Sequence, residues 1–380
     1  MKKSRYQVYM QQWLFFHPYK NPTQTDYYYF DLCKKTHQVI ISPKHIWLTS
    51  YLPERSLTEL SCFLVSYFED IISGISIWQA FTGEHKKLYG KYLPFYQLKE
   101  YCTNEINPED IYFLIWYFFS SILNNESIFL PVHEDIVNLG NDIYKIFEDE
   151  YEYAPENESL KDFLTIPPQE DDYYNLRIKI EWLIFNSYLL YFNSIEFENK
   201  KNETFKREKD KHILDNKKMV INDIRDNFII NKPLPLLALR GKDWLAAILG
   251  EKHALYDNIL NISEKKTGYY IYQKQDENNL YFQHIATDTV LAVTKKSMEV
   301  FPDFKEESTL FFISFVKWKN EWWFSGVYVN FSYNANLILD EKNSVESRAL
   351  FGGETDKQLE ALQSHYEVFL KYNKTAPLHF

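Results

Sequence analysis

Two different hydrophobic periods run along this chain. Apolar residues recur at three-to-four-residue spacing through the first two hundred positions, and at two-residue spacing after Gly268. In the first part, Ser56-Leu57-Thr58-Glu59 forms a capping-box pattern, and the stripe after it (Leu60, Phe63, Leu64, Tyr67, Phe68, Ile71) predicts an amphipathic helix. Asn107-Pro108-Glu109-Asp110 places a cap, a proline at the first helical position and two acids at the positive helix end. From Ile111 to Leu123 the residues that follow are apolar on nearly every side, which predicts the central helix of a bundle. A third helical segment runs from Tyr174 through Trp182 and Leu189 to Phe192, and loops are signalled at Leu93-Pro94, Ala154-Pro155 and Pro167-Pro168. Residues 199 to 218 are almost wholly polar and read as a charged linker or an exposed helix, before helical patterning returns over Leu234 to Leu260.

The alternating part predicts five strands: Tyr269 to Gln275, Leu280 to Ala286, Val290 to Thr294, Thr309 to Trp318 and Glu321 to Ser332. Between the last two, Lys319-Asn320 has the length of a tight hairpin turn, which pairs Trp318 with Glu321, Lys317 with Trp322 and Val316 with Trp323. Strands of this number and length predict a small antiparallel barrel, SH3-like or OB-like, filled by Tyr270, Tyr272, Phe282, Ile285, Val293, Phe312, Val316 and Val327. After Gly352-Gly353, Thr355 and Gln358 cap a last helix with the stripe Leu359, Leu362, Tyr366, Phe369 and Leu370. The expected fold class is therefore α+β: a helical domain over 1–198, a charged linker or exposed helix over 199–233, and a β module with flanking helices over 234–380.

Composition changes this picture in three places. Aromatics are abundant (30 Tyr, 29 Phe and 9 Trp, 18% of the chain), which biased codon usage explains more readily than function does. The net charge of −11 argues against a general nucleic-acid surface. It is also unevenly spread: ten acids and only Lys161 fall between residues 148 and 172, so that stretch must face solvent, where it offers a surface to a basic partner or to the chain's own residues 200–218. Cys33, Cys62 and Cys102 fall in segments read as helix, at spacings that suit no zinc motif, and read as buried free thiols of a reducing compartment. The longest apolar run, Ile111 to Phe119, is about half of the roughly 18 residues a membrane span needs, so the expectation is a cytoplasmic protein with no membrane contact.

Candidate chemistry is sparse. Glycine-rich phosphate loops and the G-x-S-x-G elbow are missing, and His133-Glu134-Asp135 lacks the second histidine of a zinc-protease helix, so neither a cofactor nor a metal is expected. Arg207 and His212 match only the spacing of the Arg–His pair in small helical RNase toxins, the basis of an alternative reading as a nuclease or toxin-like phosphodiesterase of a mobile or defence system. The stronger candidate is a contact surface on the last hairpin, formed by Trp318, Trp322, Trp323 and Lys317 with His284 from the neighbouring strand. At least one of the three indoles should lie at an exposed rim, because a barrel interior this small would be overpacked by all of them.

The stretches WLFFHPYKNPTQTDYYYFDLC, EDEYEYAPEN, YYIYQKQDENNLYFQHIATDTVLAVTKKSM and KNEWWFSG resemble a family of bacterial proteins, mostly of gut anaerobes, catalogued only as a domain of unknown function. That resemblance spans nearly the whole chain and implies no activity. The expected function is non-enzymatic binding, with a protein partner favoured over nucleic acid and the Trp-rich β module as the contact surface.

Overall fold

A computed structural model describes residues 7–123, 130–207, 217–298, 309–331 and 334–351. The chain divides into two compact units. The described residues up to Ile166 and Trp182–Ser194 belong to the first, whereas Pro167–Glu181 and the described residues from Ile195 to Phe351 belong to the second. The boundary thus cuts inside one helix, Tyr173–Phe185, rather than falling at residue 198. The expected C-terminal helix after Gly353 lies outside the described residues.

The first unit is helical. Its elements are α1 (Met10–Leu14), α2 (Gln24–Ile40), α3 (Glu54–Ser73), α4 (Ile77–Tyr89), α5 (Pro108–Ile122), α6 (Glu134–Glu150) and α7 (Glu158–Leu164), with a 3-10 stretch at Pro43–Ser50. Helix α3 begins two residues before Ser56, with Pro53 as its cap. Helix α5 begins where the Asn107-Pro108 pair placed it, and Ile111, Phe113, Leu114, Ile115 and Phe118 are all fully buried. Apolar side chains on every face of a helix require neighbours all round, and α3 and α6 supply two of them. Phe68 of α3 stacks on Phe147 of α6 at 4.7 Å, and Gly140 of α6 lies so close to Tyr112 of α5 that a Cβ there would fall 2.3 Å from the ring. Cys33 and Cys62 are buried free thiols, but Cys102 is exposed in a loop and not in a helix.

Beyond α8 (Tyr173–Phe185) the third helical segment is broken at 186–191, and α9 (Phe192–Arg207) follows. The charged segment is therefore helical as far as Arg207, then resumes as α10 (Lys217–Ile230), with α11 (Gly241–Leu249) and α12 (Tyr256–Leu260) after it. The ten acids between 148 and 172 are all exposed or half-exposed, as their desolvation cost demands.

Among the described residues the second unit holds five strands: β1 (Lys266–Gln275), β2 (Asn279–His284), β3 (Val290–Thr294), β4 (Leu310–Trp318) and β5 (Glu321–Phe331). Their order is β1-β2-β3-β5-β4, with β4 also paired to β1. The expectation of a purely antiparallel barrel is corrected here: β3 and β5 run parallel and meet in one residue pair, Val293 with Trp322. Parity explains the first point, because an odd number of strands arranged in a ring cannot alternate in direction throughout. A single pair is also too little for a closing ladder, so the sheet is mixed and strongly curled, with a thin seam.

Tyr270, Tyr272, Leu280, Phe282, Leu291, Val293, Phe311, Ile313 and Phe315 fill the inside of the curl. Each such side chain contributes roughly 1.5–3 kcal/mol by leaving water. Phe312 and Val316, expected inside, belong to the opposite face of β4. Strand β4 is apolar at nearly every position, so alternation could not set its phase, and an irregularity between Ile313 and Phe315 shifts the pairing with β5. Gly326, at φ +89°, lies at that irregularity. Helices α13 (Ala335–Asn343) and α14 (Val345–Ala349) end the described chain.

Candidate functional site

The last hairpin forms in the expected register, with Trp318 opposite Glu321, Lys317 opposite Trp322 and Val316 opposite Trp323 across a turn that holds Lys319 at φ +51°. The indoles do not make one surface. Trp318 and Trp323 are each 1% exposed, which removes them as contact residues. The Trp318 Nε1–H donates to the Asp171 carbonyl at 3.0 Å, and Tyr174 meets Trp323 edge-on at 5.7 Å. Crowding does keep both indoles out of the curl, but residues 171–174 at the start of α8 cover them instead of leaving a rim. The cation beside an indole is Lys319, 5.3 Å from the Trp318 ring, rather than Lys317 at Trp322.

Trp322 alone of the three is half-exposed, packed against the residues that fill the curl. Lys317 is half-exposed as well. His284 is fully buried, which corrects its placement as a rim residue. Its Nδ1 faces the Thr287 hydroxyl at 2.9 Å, its Nε2 has no hydrogen-bond partner among the described residues, and burial pushes its pKa down to about 4. Phe351, just past α14, lies 5.2 Å from the His284 ring and 6.3 Å from Trp322, so the chain itself covers the place where these two residues converge. Of the nuclease pair, His212 lies outside the described residues, and the described structure extends only to Arg207 at the end of α9.

A surface not anticipated from the sequence lies on the outer face of the sheet. Tyr269 of β1 pairs with Phe312 of β4, ring centroids 4.9 Å apart, and reaches Phe331 of β5 at 5.8 Å. Ile271 and Tyr281 are half-exposed beside them, and Phe331 is 39% and Val290 55% exposed. At the edge of the cluster the Gln273 amide donates to Gln283 at 2.8 Å, the Gln283 amide donates to Asp288 at 2.9 Å, the Tyr281 hydroxyl donates to Asp276 at 2.6 Å, and Lys274 stands over Tyr281 at 5.2 Å. These residues alternate in sequence with the interior ones; what the pattern could not show is that they stay half-exposed among the described residues.

The first unit holds a second cluster that was not foreseen. His17 follows α1, Asp26 is in the first turn of α2, and Glu69 is on the buried face of α3. All three are at most 5% exposed. His17 Nε2 lies 2.9 Å from Glu69 Oε2 and 3.8 Å from Asp26 Oδ1, and its Nδ1 faces the Trp13 carbonyl at 3.1 Å. Burial disfavours a charged imidazole, but the two carboxylates outweigh it and raise the His17 pKa. Around them, Trp13 Nε1–H and the Tyr19 hydroxyl donate to Asp26 Oδ1 at 2.9 and 3.2 Å, and Asn157, the cap of α7, donates to Glu69 Oε1 at 2.8 Å. Trp13, His17, Tyr19, Asp26 and Asn157 all lie within two of the distinctively worded stretches of the sequence. They are more than a hundred residues apart at the extreme, so local spacing carried no signal.

Two more buried carboxyls lie in the same unit. Asp70 accepts from the Ile77 and Trp78 N–H groups at 3.1 and 2.7 Å and from the Tyr188 hydroxyl at 2.9 Å; burial pushes its pKa up to about 6. Asp110 accepts from the Tyr67 and Tyr101 hydroxyls, both at 2.7 Å, and burial pushes it up to about 7. Surrounded by tyrosines and backbone donors, these groups hold helix ends and helix pairs together.

No single described helix is long and apolar enough to cross a membrane. Residues 7–320 match the family described as "Protein of unknown function (DUF3843)", and the chain belongs to that family. No curated protein and no solved structure matches it.

Proposed function

We propose that this chain is a non-enzymatic protein-interaction protein whose second unit is an OB-like module, binding its partner on the outer face of the sheet around Tyr269 and Phe312. The strand order β1-β2-β3-β5-β4 with β3 parallel to β5 supports an OB-like reading over an SH3-like one, since OB-folds are five-stranded, partly open Greek-key barrels. One observation carries the proposal: a half-exposed aromatic cluster of Tyr269, Phe312 and Phe331, flanked by Lys274, Asp276 and Asp288 with no excess of bases, in a chain of net charge −11. Nucleic acid would require a basic face to neutralise phosphates, whereas an aromatic patch with mixed charges at its edge matches the apolar core and polar rim of a protein interface.

The experiment compares wild type with Tyr269→Lys and Phe312→Lys in co-purification from cells that carry the protein, followed by affinity measurement on the recovered partner. The expected result is one partner bound at least about tenfold more weakly by each variant while the melting temperature is kept, as for central interface residues. A partner held equally by all three chains, or single-stranded nucleic acid bound on this face, overturns the reading.

A further inference from the structure

We propose that His17, Asp26 and Glu69 form a structural binding site for one divalent transition-metal ion of the zinc, manganese or iron class, with His17 Nε2, Asp26 Oδ1 and Glu69 Oε2 as its ligands. One ligand atom from each of the three residues lies within 4.8 Å of the other two, a separation that a single ion can bridge with small side-chain movements. With a proton on Nε2 instead of an ion, the cluster has one imidazolium against two carboxylates and keeps a net negative charge in a fully buried place. A divalent ion that displaces that proton leaves a neutral imidazole and two carboxylates around a 2+ charge, which sums to zero and removes the uncompensated buried charge.

The groups behind the ligands are those a metal site needs. His17 Nδ1 faces the Trp13 carbonyl, which places the lone pair on Nε2 once the proton has left. The indole of Trp13 and the amide of Asn157 orient the two carboxylates. A separate observation points to a further occupant beside them. Glu69 and Asp70 line a small cavity with about 10 Å³ open to the centre of a water, room for one molecule. Ser66 and Trp182 line the same cavity and are 5% and 6% exposed, and Ser66 Oγ and Trp182 Nε1 have no hydrogen-bond partner among the described residues. An indole N–H requires an acceptor, so water fits there next to Glu69. One imidazole with two carboxylates suits a borderline ion; soft thiolates are absent from the set, which disfavours Cu(I), and the imidazole disfavours magnesium and calcium.

The test uses the full chain. Metal content of protein purified without chelator is measured by elemental analysis, and chelator-treated protein is titrated with Co(II) while its visible absorption and melting temperature are followed. The expected result is about one equivalent of a single first-row divalent metal per chain. Co(II) should bind with d–d absorption bands, and chelation should lower the melting temperature until metal is restored. Asp26→Asn and Glu69→Gln, which keep shape and most hydrogen bonds, should each weaken Co(II) binding at least about tenfold while circular dichroism stays native. Folded wild type with no stoichiometric metal, no Co(II) bands and no thermal response to chelator overturns the proposal. So does metal retained equally by both variants. If both variants fail to fold, the wild-type stoichiometry and the chelator response decide.

Discussion

Gly326 shows how much one backbone position carries in the second unit. Its φ of +89° suits glycine, and a Cβ there would lie 2.1 Å from Asp226 Oδ2. Asp226 is fully buried, paired with Arg177 and accepting from the Ser325 hydroxyl at 3.3 Å, so it has no room to retreat. Gly250 has a similar φ of +78° with nothing near its missing Cβ. In urea unfolding, Gly250→Ala should cost about 1 kcal/mol of strain, while Gly326→Ala should cost roughly 1–3 kcal/mol more. Equal losses would show that the contact with Asp226 is not the constraint. Nothing in the sequence marks Gly326 as different from Gly250, because the carboxylate that excludes its Cβ lies a hundred positions away.

Among elements, the α5–α6 pair and the last hairpin show opposite degrees of legibility. Helix α5 was readable from its cap and its apolar run; which helix it would touch most closely was not. The contact is made at Gly140, and Gly140→Ala should shift the α5–α6 packing and lower stability by about 1–3 kcal/mol. Gly83 in α4 has nothing within 4 Å of its missing Cβ, so Gly83→Ala should stabilise by up to about 1 kcal/mol through helix propensity. Denaturant midpoints of the two variants should therefore move in opposite directions. The hairpin register was readable from the turn as far as Phe315 opposite Phe324, because a two-residue turn sets each pair until the irregularity beyond it shifts the pairing. Burial of Trp318 and Trp323 was not readable, since it depends on Asp171 and Tyr174, nearly 150 positions earlier in the chain.

For the whole molecule, two buried groups in different units should impose opposite pH dependences. The folded chain keeps a proton on Asp110 up to about pH 7, whereas an unfolded aspartate releases it near 3.8, so this group's contribution falls as pH rises between those values. His284 stays neutral down to about pH 4 when folded and takes a proton near 6.5 when unfolded, so its contribution falls as pH drops through that window. Melting curves from pH 4 to 7 should show Asp110→Asn removing a decline toward neutrality and His284→Gln removing a decline toward acid; unchanged profiles in both would refute the assignments. By itself, the sequence determined what local periodicity and short-range sterics decide: the helix-then-strand order, the α+β class, all five strands to within three residues at either end, the turn of the last hairpin and the exposure of the acidic stretch. Only the tertiary structure decided the parallel β3–β5 seam, the break of the long helix at 186–191, the covering of two indoles, the open aromatic face and the His17–Asp26–Glu69 cluster. The reason is common to all of these. Each depends on which distant segment comes to lie against a residue, and a one-dimensional pattern records the face a side chain points from but not what it meets.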